Sequence, residues 1–139
     1  MSLVDTIAED LKQAMKARDE VKKQTLRMLK SELTTLENPD EIAVLTRAVK
    51  SRRDSAQSYR EGGREDLAKA EEAEIAIIEH YLPKPLSDNE ARDAVRKIIA
   101  ELGATGKADM GRVMKALMDK HRGQIDGKQA SAMVSELLA

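Results

Sequence analysis

The sequence predicts an all-α protein, with an N-terminal four-helix domain over residues 1–86 and a compact three-helix C-terminal domain over residues 87–139. Two observations set the class and a third sets the division. Every apolar run repeats at three- and four-residue spacing, the period of a helix with one buried face. No stretch alternates at period two with the β-branched and aromatic enrichment of a strand. Pro83 and Pro85 flank Lys84 where the local charge changes sign, and two prolines around one residue make a stiff boundary.

The elements follow in order. Ser2 and Asp5 form a capping box that opens a first helix on Leu3, Ile7, Leu11, Ala14 and Met15. A second runs from about Asp19 through Leu26, Leu29, Leu33 and Leu36 to Asn38-Pro39, because proline disfavours a helical residue before it. The third, after Asp40, places Ile42, Leu45, Val49, Arg52, Ala56 and Tyr59 on one seam and ends at Gly62-Gly63. A fourth, from Glu65, carries Leu67, Ile75, Ile78 and Leu82 up to the prolines. Ser87 and Glu90 make a second capping box for a fifth helix on Ala91, Val95, Ile98, Ile99 and Leu102, closed by Gly103. The sixth starts near Asp109 and presents Met110, Val113, Met114, Leu117 and Met118 up to Gly123. The seventh, capped by Asp126, buries Ala130, Val134, Leu137 and Leu138.

Composition excludes several classes. The chain has no cysteine, which removes disulfides, thiolate zinc sites and cysteine nucleophiles. The start MSLVDTIAEDLKQAMK has no basic, then apolar, leader pattern, and no window is apolar for the roughly 18 residues of a membrane span. The expectation is a cytoplasmic protein with no membrane partner. With only Tyr59 and Tyr81 as aromatics, the stacking platforms that read single strands are missing.

Chemistry-bearing patterns are sparse. The stretch Gly103–Lys107 lacks the spacing and the following Ser or Thr of a phosphate loop, and it follows a helix. His80 and His121 are the only histidines and have no metal-ligand spacing, so neither a metal nor another cofactor is expected. The run Glu71, Glu72, Glu74 and Glu79 reads as a solvated face, except that Glu74 is placed to pair with Arg52 if the third and fourth helices are neighbours. Met110, Met114 and Met118 recur every four residues and read as core, with a groove for a partner helix as the other reading.

Charge is distributed unevenly although the net charge is only −1. Residues 18–60 hold ten basic against seven acidic groups, residues 61–90 three against nine, and residues 91–139 nine against six. Around the sixth helix Lys107, Arg112, Lys115, Arg122 and Lys128 compose a candidate phosphate-contacting patch, with Asp109, Asp119 and Asp126 among them.

Four blocks resemble the signature of the YqeY family in order and spacing. They are Gly63-Arg64-Glu65-Asp66-Leu67-Ala68, Glu71-Glu72-Ala73-Glu74-Ile75, Tyr81-Leu82-Pro83, and Asp109-Met110-Gly111-Arg112-Val113-Met114 with Asp126-Gly127-Lys128; Thr25-Leu26-Arg27-Met28-Leu29 also fits. The resemblance implies a C-terminal domain similar to the tail of the tRNA-dependent amidotransferase B subunit, a part associated with engaging tRNA and not with chemistry. Glutamine-dependent carbon–nitrogen ligase activity belongs to those relatives, and their catalytic residues have no counterpart here. The expected function is therefore a non-catalytic tRNA-related binding module, with tRNA or other structured RNA as partner. The alternative is a protein-interaction module using the methionine-lined helices.

Overall fold

The computed structural model describes residues 2–138. Seven α-helices and one 3-10 turn supply its regular structure, with no strand among the described residues. The chain divides into two compact units, one ending at Leu82 and the other beginning at Pro83.

The first unit holds α1 (Leu3–Ala17), α2 (Glu20–Thr35), α3 (Glu41–Glu61) and α4 (Glu65–Glu79). At the head of α1 the Asp5 N–H donates to Ser2 Oγ at 3.1 Å and the Ser2 N–H donates back to the Asp5 carboxylate, which satisfies two otherwise orphaned donors. Asp19 and Asp40 cap α2 and α3 with one bond each, accepting the N–H groups of Lys22 and Ala43. The α1–α2 turn is made by Arg18 in the left-handed region, at φ 58°. Ile7, Leu26, Leu29, Leu33, Leu45 and Ile78 are almost fully buried in one cluster, and emptying such a site to alanine costs about 2–5 kcal/mol.

Two helices are shorter than the periodicity suggests. The second stops at Thr35, and Asn38 takes a left-handed φ of 48° before Pro39, a backbone state asparagine tolerates. The fourth stops at Glu79, beyond which the Tyr81 and Leu82 N–H groups reach back only three residues, to the carbonyls of Ile78 and Glu79.

The second unit holds α5 (Asp88–Leu102), a 3-10 turn (Lys107–Asp109), α6 (Met110–Lys120) and α7 (Gly127–Leu138). Ser87 and Glu90 close a second capping box, and Gly103 ends α5 at φ 63°. The three helices all pack on one another around Val95, Ile98, Val113, Leu117, Ala130 and Val134. Met110, Met114 and Met118 are partly buried against this core, which gives the methionine stripe a packing role. The segment before α5 belongs to this unit: the Leu86 N–H donates to the Gln124 carbonyl at 2.9 Å, and the Gln124 amide donates to the Lys84 carbonyl at 3.2 Å.

Candidate nucleic-acid interface

The patch is organised by α6. Val113 and Leu117 turn fully inward, so residues displaced from them around the helix must turn outward. Arg112, Lys115 and Asp119, spaced three and four apart, share an exposed face. Lys107 lies in the 3-10 turn before α6, Arg122 in the turn after it and Lys128 in the first turn of α7; all three are exposed. The structure thus brings Arg112 and Lys115 together on one helix and supplies the other three from the segments that flank it.

Arg112 and Lys115 each have an aspartate partner. Arg112 Nη2 donates to Asp109 at 2.8 Å, and Asp109 also accepts the Thr105 backbone N–H at 3.0 Å. The Thr105 N–H first, and Arg112 second, hold this carboxyl below the usual aspartate range. Asp109 therefore binds the turn before α6 instead of accepting a helix N–H, as no side-chain cap forms there. Lys115 Nζ approaches Asp119 at 3.2 Å, but both side chains are more than two-thirds exposed, and such a pair is worth at most about 1 kcal/mol. A phosphate can displace it.

The acidic run of α4 is partly exposed to solvent, and most of its carboxylates also pair with arginines of α3. Arg53 pairs with Glu79 at 3.3 Å, and Arg60 binds Glu72 at 2.6 Å and Glu65 at 3.0 Å. Arg60 holds both of its glutamates below the ordinary carboxylate range. Arg52 points into the junction of α2, α3 and α4, with Nε 3.9 Å from Glu74, beside a cleft of about 440 Å³. The pairing of Arg52 with Glu74 was legible in the sequence. The participation of Thr25 was not: this fully buried hydroxyl donates to the Val21 carbonyl at 2.8 Å and lies 3.4 Å from Glu74. Burial, then the neighbouring Glu74, pushes the Glu71 carboxyl up from its ordinary value. Glu65, Glu72, Glu74 and Glu79 pair with arginines of α3, an arrangement suited to fixing the register of the α3–α4 pair.

The two histidines belong to different units. His80 meets Tyr81 edge-on at 5.1 Å, and His121 Nδ1 lies 3.2 Å from the Gln124 amide oxygen. Among the described residues no group of three or more His, Asp or Glu side chains is arranged to hold a metal ion. No helix among them is long and apolar enough to cross a membrane.

A family model described as Yqey-like protein matches residues 4–138. Curated relatives carry the name Altered inheritance of mitochondria protein 41, mitochondrial. The one from Vanderwaltozyma polyspora is 34% identical over 110 residues, 69% of this chain and 58% of the relative. That from Lachancea thermotolerans is 34% identical over 115 residues, 73% and 62% respectively. The Clavispora lusitaniae protein is 30% identical over 131 residues, 85% and 75%. The first two matches thus span about three-fifths of the relatives' length. Their names point to a mitochondrial location, and the cytoplasmic expectation is corrected accordingly. One ground of that expectation, the absence of cysteine, suits any reducing compartment equally well.

Proposed function

Because this chain belongs to the YqeY family, we propose that it is a non-catalytic RNA-binding module whose C-terminal unit engages tRNA, or another structured RNA, through the phosphate backbone. The observation that carries the reading is the exposure of all five cations, Lys107, Arg112, Lys115, Arg122 and Lys128, on and around one helix whose opposite face is core. Exposed cations over a rigid helix neutralise phosphates and release counterions, and this needs neither aromatic stacking nor base contacts. Selectivity then comes from the shape of the RNA. The likeness of this unit to the amidotransferase B-subunit tail, and its folding as a separate three-helix domain after a joint at 83–87, belong to the same proposal. The mitochondrial address in the relatives' names carries over as the compartment in which the RNA would be met.

Fluorescence anisotropy of the full chain with tRNA at two salt concentrations tests the reading. The three to four phosphate contacts of this patch contribute about 2–4 to the slope of log affinity against log salt. Arg112→Glu with Lys115→Glu should lower that slope and weaken binding while the helical circular-dichroism spectrum stays unchanged. Wild-type protein that binds tRNA no better than an acidic control protein at low salt would sink the proposal.

A further inference from the structure

A second concentration of positive charge lies outside that patch. Residues 12–30 hold seven lysines and arginines against two acids, Asp19 and Glu20. Both acids are engaged: Asp19 caps α2 through the Lys22 N–H, and Glu20 pairs with Lys23 at 3.2 Å. Lys12, Lys16, Arg18, Lys22, Arg27 and Lys30 make no ion pair among the described residues, and all but the half-buried Lys30 are exposed. This differs from α6, where Arg112 and Lys115 each face an aspartate.

The fold gathers these groups. Lys12 and Lys16 are four apart on the outward face of α1, away from the buried Ile7 and Ala14. The Arg18 turn returns the chain, so the end of α1 lies beside the start of α2, the two helices being packed together. Lys23, Arg27 and Lys30, four and three apart, continue along one flank of α2 for about 10 Å at 1.5 Å per residue. The result is a track of cations leading away from the turn.

We infer that this α1–α2 hairpin is a second nucleic-acid surface, which binds the phosphate backbone of a folded RNA through Lys16, Arg27 and Lys30. It stands on its own charges and does not depend on the C-terminal patch. A linear track suits a rod-like polyanion, whereas a membrane contact needs cations and exposed apolar side chains on one face. The exposed apolar groups of α2, Val21 and Met28, lie about 100–180° round the helix from the basic flank, and α1 adds to the cations a single large exposed apolar side chain, Met15, too few for an apolar face. No aromatic side chain lies between residues 12 and 30, so backbone neutralisation is the mode of contact.

The test uses the full chain, an RNA hairpin and phosphatidylserine-containing vesicles. Lys16→Glu, Arg27→Glu and Lys30→Glu together should weaken hairpin binding more than tenfold and lower the salt slope by about 2–3, at 0.7–0.9 per lost contact. The matching glutamine variant should lower the slope by the same amount with a smaller loss of affinity, and it keeps the test valid if charge reversal disturbs folding. The Arg112→Glu, Lys115→Glu protein should retain the N-terminal contribution to the slope, so the two surfaces succeed or fail separately. An unchanged slope in the glutamine variant overturns the inference, as does wild-type binding to vesicles in preference to the hairpin.

Discussion

The Arg52 guanidinium reaches Glu74 at 3.9 Å with its Nε buried and without a hydrogen bond, while Nη1 donates to the Ala48 carbonyl at 2.9 Å and Nη2 meets Met28 Sδ at 3.6 Å. The charge is thus balanced by Glu74 and, more remotely, by Glu71, and its hydrogen-bonding capacity is incompletely met. Such a group contributes little net stability yet is costly to break from one side.

Arg52→Met should therefore destabilise the first unit by about 1–3 kcal/mol, because Glu71 and Glu74 lose their cation while the buried stem is replaced by a side chain of similar shape. Arg52→Met with Glu74→Leu should recover most of the loss. Thermal melts of both variants check this, and equal melting of Arg52→Met and wild type would remove any structural role for the pair.

The same cluster gives a pH dependence. Burial and then Glu74 raise the Glu71 carboxyl above its unfolded value, so the folded state binds this proton more readily. Its contribution to stability is greatest at low pH and is lost as pH rises through the folded value. Without Arg52 the upward shift should grow. The melting deficit of Arg52→Met should accordingly narrow as pH is lowered from neutral toward the carboxylate range, a comparison in which the shared acid losses of both proteins cancel.

Tyr81 donates a hydrogen bond to Asp10 and so ties the segment after α4 to α1. Burial first, then the bond to Asp10, hold its phenol well above the ordinary tyrosine range. In a Tyr59→Phe background Tyr81 is the only tyrosine, and its ultraviolet absorbance should not change through the pH near 10 at which a free phenol ionises. Tyr81→Phe should cost about 1 kcal/mol, the net worth of one part-buried hydrogen bond.

What was legible in the sequence divides along physical lines. Periodicity and caps placed the helices because each depends on residues three or four apart: Ser2 with Asp5 and Ser87 with Glu90 both formed the boxes their spacing implies. Helix ends at Thr35 and Glu79 were less legible, since apolar spacing continues after the hydrogen-bond ladder has stopped. The salt-bridged state of the α4 glutamates was hidden because their partners, Arg53 and Arg60, lie on another helix, 26 and 12 residues from Glu79 and Glu72. The α1–α2 cations were hidden for a different reason: averaging charge over residues 18–60 diluted them with the acids that follow, while a window over residues 12–30 exposes them.

The linker before α5 provides a test of backbone protection. Its two hydrogen bonds to Gln124 bind Lys84 and Leu86 into the second unit, so a cut at 84–86 must first break them. A nonspecific protease should cleave sooner at 82–83, just beyond the Leu82 N–H bond to the Glu79 carbonyl, than at 84–86. Gln124→Ala removes the side-chain bond and should move cleavage into 84–86. Mass spectrometry of the first fragments reads both outcomes, and first cuts within α3 or α5 would contradict the helical bodies described.

If the C-terminal patch binds phosphate, its own aspartates must oppose it, and Asp119 is the cleaner one to remove. Asp109 also holds the Thr105 N–H, so replacing it would disturb the turn before α6, whereas among the described residues Asp119 is engaged by Lys115 in an exposed pair. Asp119→Asn keeps the side-chain volume, frees Lys115 and removes a negative charge from the face that an RNA would approach. A charge so placed interacts with a nearby phosphate by about 1 kcal/mol or less in a solvent-like dielectric, so affinity for tRNA should rise roughly two- to fivefold at low salt. The gain should shrink as salt is raised, because screening acts on the repulsion as it does on the attraction. Anisotropy titrations of wild type and Asp119→Asn at low and high salt measure this. A variant that melts like wild type and binds tRNA no more tightly at low salt would mean that the α6 face is not where the RNA sits.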